Sequence, residues 1–117
     1  MTAVTIIIQN APYRADNKAW HALRFAGAAL ADDMTVRVHL LDDGAQLGRQ
    51  GHRVPDGAVD LESLLSELIE CGLHVRACGM ALDGCGIRED ELLPGIERGS
   101  MKALAAWVKD SDQVVTF

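Results

Sequence analysis

The chain has 117 residues, 49% of them apolar, and a formal net charge of −6 from 11 basic and 17 acidic side chains. This length predicts one domain with its own core, and the apolar share excludes a disordered chain. Because Lys and Arg are not in surplus, nucleic acid is not expected as a partner. No basic leader and no membrane-length apolar stretch accompany the first apolar run, so we expect a cytoplasmic protein with no membrane partner.

Strand-like segments alternate with helix-like segments along the chain. The run from residue 3 to 8 is apolar and β-branched without alternation, which is typical of a strand covered on both faces. Further strands are predicted near residues 35–41, 73–77, 95–97 and 112–117. This order predicts a single α/β domain over residues 1–117, with a five-stranded, mainly parallel sheet in a three-layer α/β/α arrangement.

The first two helices have clear end signals. One is expected to begin at Asp16 or Asn17 and to extend to about residue 31. The other is expected to begin after Asp60 and to end at Gly72. Between them, residues 42–57 form a long glycine-containing loop, and such loops in compact domains are usually functional or mobile.

The last helix is predicted to be capped by Ser100. Its apolar spacing indicates a core face made of four residues: Met101, Leu104, Ala105 and Val108. Trp107 falls outside this stripe, which suggests a surface that contacts another subunit.

Cys78 lies where the third predicted strand runs into a short helix that extends to about residue 83. A cysteine at that junction is close to free N–H groups and to the positive end of the helix dipole, which stabilise a thiolate. His74 and Arg76 share its strand face and could add positive charge, although they could equally line a subunit interface. A buried, inert cysteine is the alternative interpretation.

In parallel sheets, ligand sites lie at the carboxyl ends of the strands. Two predicted loops reach that edge beside Cys78, and their polar side chains are candidate pocket residues: Asn10, Tyr13, Arg14, Asp42, Asp43, Arg49 and His52.

The other two cysteines are weaker candidates. Cys85 could be a second thiol for Cys78, but a helical spacing of seven residues separates their Cα atoms by roughly 10 Å, beyond the reach of a disulfide. Cys71 is predicted to be a packed thiol near a helix end. The scattered His residues and the absence of a phosphate-binding glycine motif predict no metal and no cofactor.

Five segments resemble the DsrE/DsrF-like family, which includes sulfur-relay subunits of the Tus type. They are residues 17–26, 39–45, 78–87, 93–96 and 112–117, in the same order and spacing. The resemblance implies a five-stranded parallel sheet in three layers and assembly as homotrimers or homohexamers. It also implies that Cys78 accepts sulfane sulfur as a persulfide from a donor protein or small thiol and passes it to an acceptor.

Three functions are therefore open. The first is a sulfur carrier that uses Cys78. The second is a non-catalytic oligomeric module that binds a small ligand or a protein at the strand edge. The third is a thiol-redox protein that uses Cys78 and Cys85.

Overall fold

The computed structural model describes all 117 residues and contains every predicted strand. The strands are β1 Ala3–Ile8, β2 Thr35–Leu40, β3 His74–Cys78, β4 Ile96–Gly99 and β5 Gln113–Thr116. They form one sheet in the order β4-β3-β2-β1-β5, and every neighbouring pair is parallel. The predicted five-stranded parallel sheet is confirmed.

Four α-helices connect the strands. They are α1 Lys18–Ala31, α2 Leu61–Glu70, α3 Gly79–Cys85 and α4 Met101–Lys109. Asp60 and Ser100 cap α2 and α4 as predicted, because their side chains accept the backbone N–H groups of Ser63 and Ala103 at 3.1 Å each. None of these helices combines the length and the apolar character that crossing a membrane requires.

One face of the sheet holds the main core. Alternate residues of β1, β2 and β3 are buried there, among them Ile6, Val38 and Val75. The apolar faces of α1 and α2 complete this core, with Leu23 and Leu65 fully buried.

Only α4 covers the opposite face, and its predicted core stripe is wrong. Leu104 is buried, whereas Met101 is 57% exposed and Val108 38% exposed. This helix of nine residues passes from β4 at one edge to β5 at the other, so it is too short to bury a full stripe. Trp107 instead faces the sheet, with the guanidinium of Arg76 4.4 Å from its ring centroid.

Other boundaries differ from prediction by a few residues. The loop predicted at 42–57 begins with a 3-10 helix, Asp42–Gly48. The helix after Cys78 continues through Gly84 to Cys85. At α1, Asn17 occupies the cap position in the left-handed region, with φ 55°, and its side chain makes no capping bond.

Candidate functional site

The carboxyl ends of β1, β2 and β3 meet at one edge of the sheet, as the parallel order requires. The 3-10 helix Asp42–Gly48 follows β2 there, and α3 follows β3 and packs against it. Cys85 lies at this contact, with its Sγ 3.9 Å from the backbone carbonyl oxygen of Asp42. Cys85 therefore faces the 3-10 helix.

Cys78 is the last residue of β3 and the N-cap of α3, which confirms the predicted junction. Its side chain makes no capping hydrogen bond. The residue is only 3% exposed, so the thiol is buried, as in the alternative interpretation of the sequence. At this end of β3, Gly99 of β4 is the register partner of Cys78.

Arg98 supplies the positive charge beside this junction. Its guanidinium covers the start of α3 so closely that a Cβ on Gly79 would lie 2.7 Å from its Nε and Nη2 atoms. It donates hydrogen bonds to Asp83 at 3.3 and 3.1 Å, and its Nε lies 3.8 Å from Glu89. These bonds and the Asp83 charge hold the pKa of Arg98 above its usual value, and the charges of Glu89 and of an ionised Cys78 act in the same direction. Sequence reasoning missed Arg98, because only the pairing of Ala77 with Arg98 brings it here.

The other predicted cations lie elsewhere along β3. His74 is exposed at the amino end of the strand. Arg76 points toward Trp107, and it lines a hollow at the amino ends of the strands with Arg37, His74 and Glu97. That hollow has a volume of 260 Å³ and does not include Cys78.

His39 was not predicted, yet it is the most unusual polar side chain in the structure. It is fully buried on β2, and neither ring nitrogen has a hydrogen-bond partner. Burial lowers the pKa of His39 below its ordinary value of 6.5, and the nearby charge of Arg76 lowers it further. The sequence signal was weak, because a histidine within an apolar strand also fits a satisfied core residue.

Two predicted pocket residues hold loops together. The hydroxyl of Tyr13 lies 2.9 Å from His52 Nδ1 and accepts the N–H of Leu61 at 3.2 Å. His52 Nε2 lies 3.0 Å from the carbonyl oxygen of Leu47 and donates to it, so Nδ1 accepts a hydrogen bond from the hydroxyl of Tyr13. Burial is the main cause that raises the pKa of Tyr13. This network stabilises the loop between the 3-10 helix and α2.

Of the other predicted pocket residues, some line one of two surface pockets and the rest lie on the open surface. Tyr13 and Arg14 line an apolar cavity of 370 Å³ with Trp20 and Val59. Tyr13, Arg49 and His52 line a polar hollow of 460 Å³, where Arg49 also pairs with Glu91 at 3.0 Å. Cys78 lines neither hollow.

Three predicted residues form no site of their own: Asn10, Asp42 and Asp43. Asp43 is exposed, and Asp42 contributes a left-handed turn with φ 51° rather than a side-chain contact. No three His, Cys, Asp or Glu side chains converge as metal ligands would.

Comparison with known proteins gives a consistent result. The model of the DsrE/DsrF-like family matches residues 2–117. An uncharacterised protein of Methanopyrus kandleri is 39% identical over 97% of this chain and 93% of its own length. The crystal structure of YchN from Escherichia coli superposes with a TM-score of 0.91 at 28% identity, covering 100% of both chains. A protein of unknown function from Methanobacterium thermoautotrophicum shares the fold, with a TM-score of 0.83 at 16% identity. The chain belongs to the DsrE/DsrF-like family.

Proposed function

We propose that this DsrE/DsrF-like protein is a sulfur carrier, in which Cys78 accepts sulfane sulfur as a persulfide and passes it to an acceptor thiol. The observation that carries the proposal is the position of Cys78 at the β3–α3 junction, beside the guanidinium of Arg98. The charge of Arg98 and the free N–H groups at that point interact favourably with an anionic sulfur. The thiolate is the attacking form of cysteine.

The chemistry is a thiolate displacement. The Cys78 thiolate attacks the outer sulfur of a donor persulfide, the donor S–S bond breaks, and the donor leaves as a thiolate. The acceptor thiolate later attacks the outer sulfur on Cys78 in the same way. Because both steps move negative charge between sulfurs, the nearby guanidinium of Arg98 favours each transition state.

The burial of Cys78 limits which donors can reach it. With 3% of the residue exposed, a small donor such as polysulfide fits the closed chain better than a protein loop does. A protein donor requires α3 or the β4–α4 connection to move. We further propose that the protein works in the cytoplasm, where its three free cysteines stay reduced.

Intact mass after incubation with polysulfide tests the carrier function. Cys71 is exposed and Cys85 partly exposed, so the parent for this test is the Cys71→Ser/Cys85→Ser double variant. The parent should gain the mass of one sulfur, released by a reducing thiol, and adding Cys78→Ser should abolish the gain. If the parent gains no sulfur, or if the triple variant gains it equally, the proposal is wrong.

A ligand-binding module is the second candidate, because the burial of Cys78 also fits an unreactive thiol. Its site would be the 370 Å³ cavity, where Trp20 and Val59 offer apolar contact and Arg14 offers one cation. This geometry suits a small apolar carboxylate. Fluorescence of a Trp107→Phe variant, in which Trp20 is the only tryptophan, tests that function during titration with an aromatic carboxylate. Arg14→Gln is the matched variant, and Cys78 is not involved.

The thiol-redox alternative has less support. Since α3 is continuous from Gly79 to Cys85, its rise places Cys85 about 10 Å from Cys78, and a disulfide would require the helix to unwind.

A further inference from the structure

The imidazole of His39 is a buried polar group without a partner. Buried polar groups are hydrogen-bonded in the great majority of cases, and an unpaired one lowers stability. His39 has no solvent exposure and leaves both ring nitrogens unpaired. A role in binding or catalysis would explain an unpaired imidazole at this buried position of β2.

The strand register places this ring on the same face of the sheet as Cys78. His39 on β2 pairs with Arg76 on β3, and Cys78, two residues further along β3, points to the same face and pairs with Gly99 on β4. The ring's Cε1 lies 3.3 Å from where a Cβ of Gly99 would be. The imidazole begins on β2 at the level of Arg76, and its Cε1 reaches Gly99 on β4. It therefore extends across β3 toward the level of Cys78.

Neither Gly99 nor the side chain of Arg76 occupies the space between the imidazole and Cys78. Gly99 has no side chain, and a Cβ there would also lie 3.1 Å from Cβ of Arg76. The guanidinium of Arg76 lies over Trp107, in the hollow at the amino ends of the strands, and so points away from Cys78. Neither ring nitrogen hydrogen-bonds to the Cys78 thiol in this structure, so both remain available to a thiolate or a persulfide formed there.

We infer that His39 accepts the proton of the Cys78 thiol and then hydrogen-bonds to the persulfide formed there. This inference rests on the proposed sulfur-carrier function. The thiol proton moves to a ring nitrogen, and the Cys78 thiolate forms a bond to the outer sulfur of the donor persulfide. The donor S–S bond breaks, and the leaving thiolate takes the proton from the imidazolium. No electron acceptor is needed, because the sulfane sulfur changes partner without net oxidation.

Alkylation tests the role of His39 whether or not sulfur transfer occurs. In the Cys71→Ser/Cys85→Ser parent, His39→Gln and His39→Phe should slow iodoacetamide modification of Cys78 by about a hundredfold, the usual contribution of a positioned base. His74→Gln, on the same face but exposed at the far end of β3, should leave the rate unchanged. Equal rates in the parent and both folded His39 variants overturn the inference.

Sulfur loading and NMR separate this inference from the carrier function. A parent that gains no sulfur overturns the carrier function alone, whereas sulfur gain at an equal rate in His39→Gln overturns the role of His39 alone. Ring ¹⁵N signals of His39 should shift on sulfur loading of the parent and stay fixed when Cys78→Ser is treated identically. A purely structural histidine would show no such shift.

Discussion

At the scale of single residues, the charge of His39 links stability to pH. Burial, and then the charge of Arg76, lowers the pKa of His39 from 6.5. The folded chain therefore keeps the ring neutral, while the unfolded chain takes up a proton as the pH falls below 6.5. The contribution to stability is complete above that pH and is lost progressively below it.

Replacing His39 should remove this dependence. We expect the urea midpoint of the wild type to fall more than that of His39→Phe when the pH is lowered from about 7.5 to about 5.5. His74→Phe, at an exposed position of the neighbouring strand, is the control and should follow the wild type. Parallel losses in the wild type and His39→Phe would contradict the prediction.

The three cysteines should differ in their reaction with a bulky reagent. Cys71, predicted as a packed thiol, is exposed at the C-cap of α2, whereas Cys85 is partly exposed and Cys78 buried. Peptide mapping after brief treatment with a large maleimide should therefore show labelling in the order Cys71, Cys85, Cys78. Labelling of Cys78 before Cys71 would show that the β3–α3 junction opens readily.

Residues that depend on strand register were beyond sequence reasoning. Cys78 could be predicted because one apolar strand and one helix signal meet at its own position. Arg98 and His39 lie 20 and 39 residues from Cys78 in the chain, and only the pairings of β3 with β4 and with β2 bring them near it. The apolar runs predict the strands but not which residues face each other across them.

At the scale of elements, α3 contains two glycines with opposite surroundings. A Cβ on Gly79 would lie 2.7 Å from the guanidinium of Arg98, whereas a Cβ on Gly84 would meet nothing within 4 Å. Because the obstacle at Gly79 is the end of a flexible side chain, alanine should displace Arg98 rather than unfold the helix. Gly79→Ala therefore tests the role of Arg98 through the backbone.

We expect Gly79→Ala to slow sulfur gain by about fivefold, as should Arg98→Gln, since partly exposed charges interact weakly in water. Gly84→Ala is the matched control and should leave the rate unchanged while stabilising the helix by about 0.5–1 kcal/mol. The measurements are the rate of sulfur gain by mass and the thermal midpoint. A normal rate in Gly79→Ala and Arg98→Gln would exclude Arg98 from the chemistry.

Predictions about whole elements succeeded where neighbouring residues in the sequence determine the structure. The ends of α2 and α4 follow from side chains that accept a nearby N–H, so local sequence was enough to place Asp60 and Ser100. Which face of α4 is buried depends instead on how the helix lies across the sheet. Its apolar period predicted a core stripe, yet Met101 and Val108 are exposed because one short helix covers the whole face.

At the scale of the whole molecule, the two faces of the sheet are unequally covered. The face under α1 and α2 carries the closed core, whereas the α4 side leaves large apolar side chains in contact with solvent. They are Met101, Val108 and, on the edge strand β5, Val114, which is 43% exposed. Exposed apolar surface of this kind is typical of contacts between subunits.

We expect a homotrimer or homohexamer, as the resemblance to the family implies, and the exposed apolar residues suggest that it is held together through the α4 side. Specific interfaces normally hold at protein concentrations of about tens of micromolar. Sedimentation of the wild type at such a concentration should give the mass of a trimer or a hexamer. The Met101→Glu/Val108→Glu double variant should sediment as a smaller species, because each carboxylate would have to lose its water in an apolar contact. Val54→Glu, at an exposed apolar position in the loop before α2, is the control and should sediment like the wild type. A wild type that is monomeric at that concentration would rule out the assembly, and a double variant that keeps the full mass would place the interface on another surface.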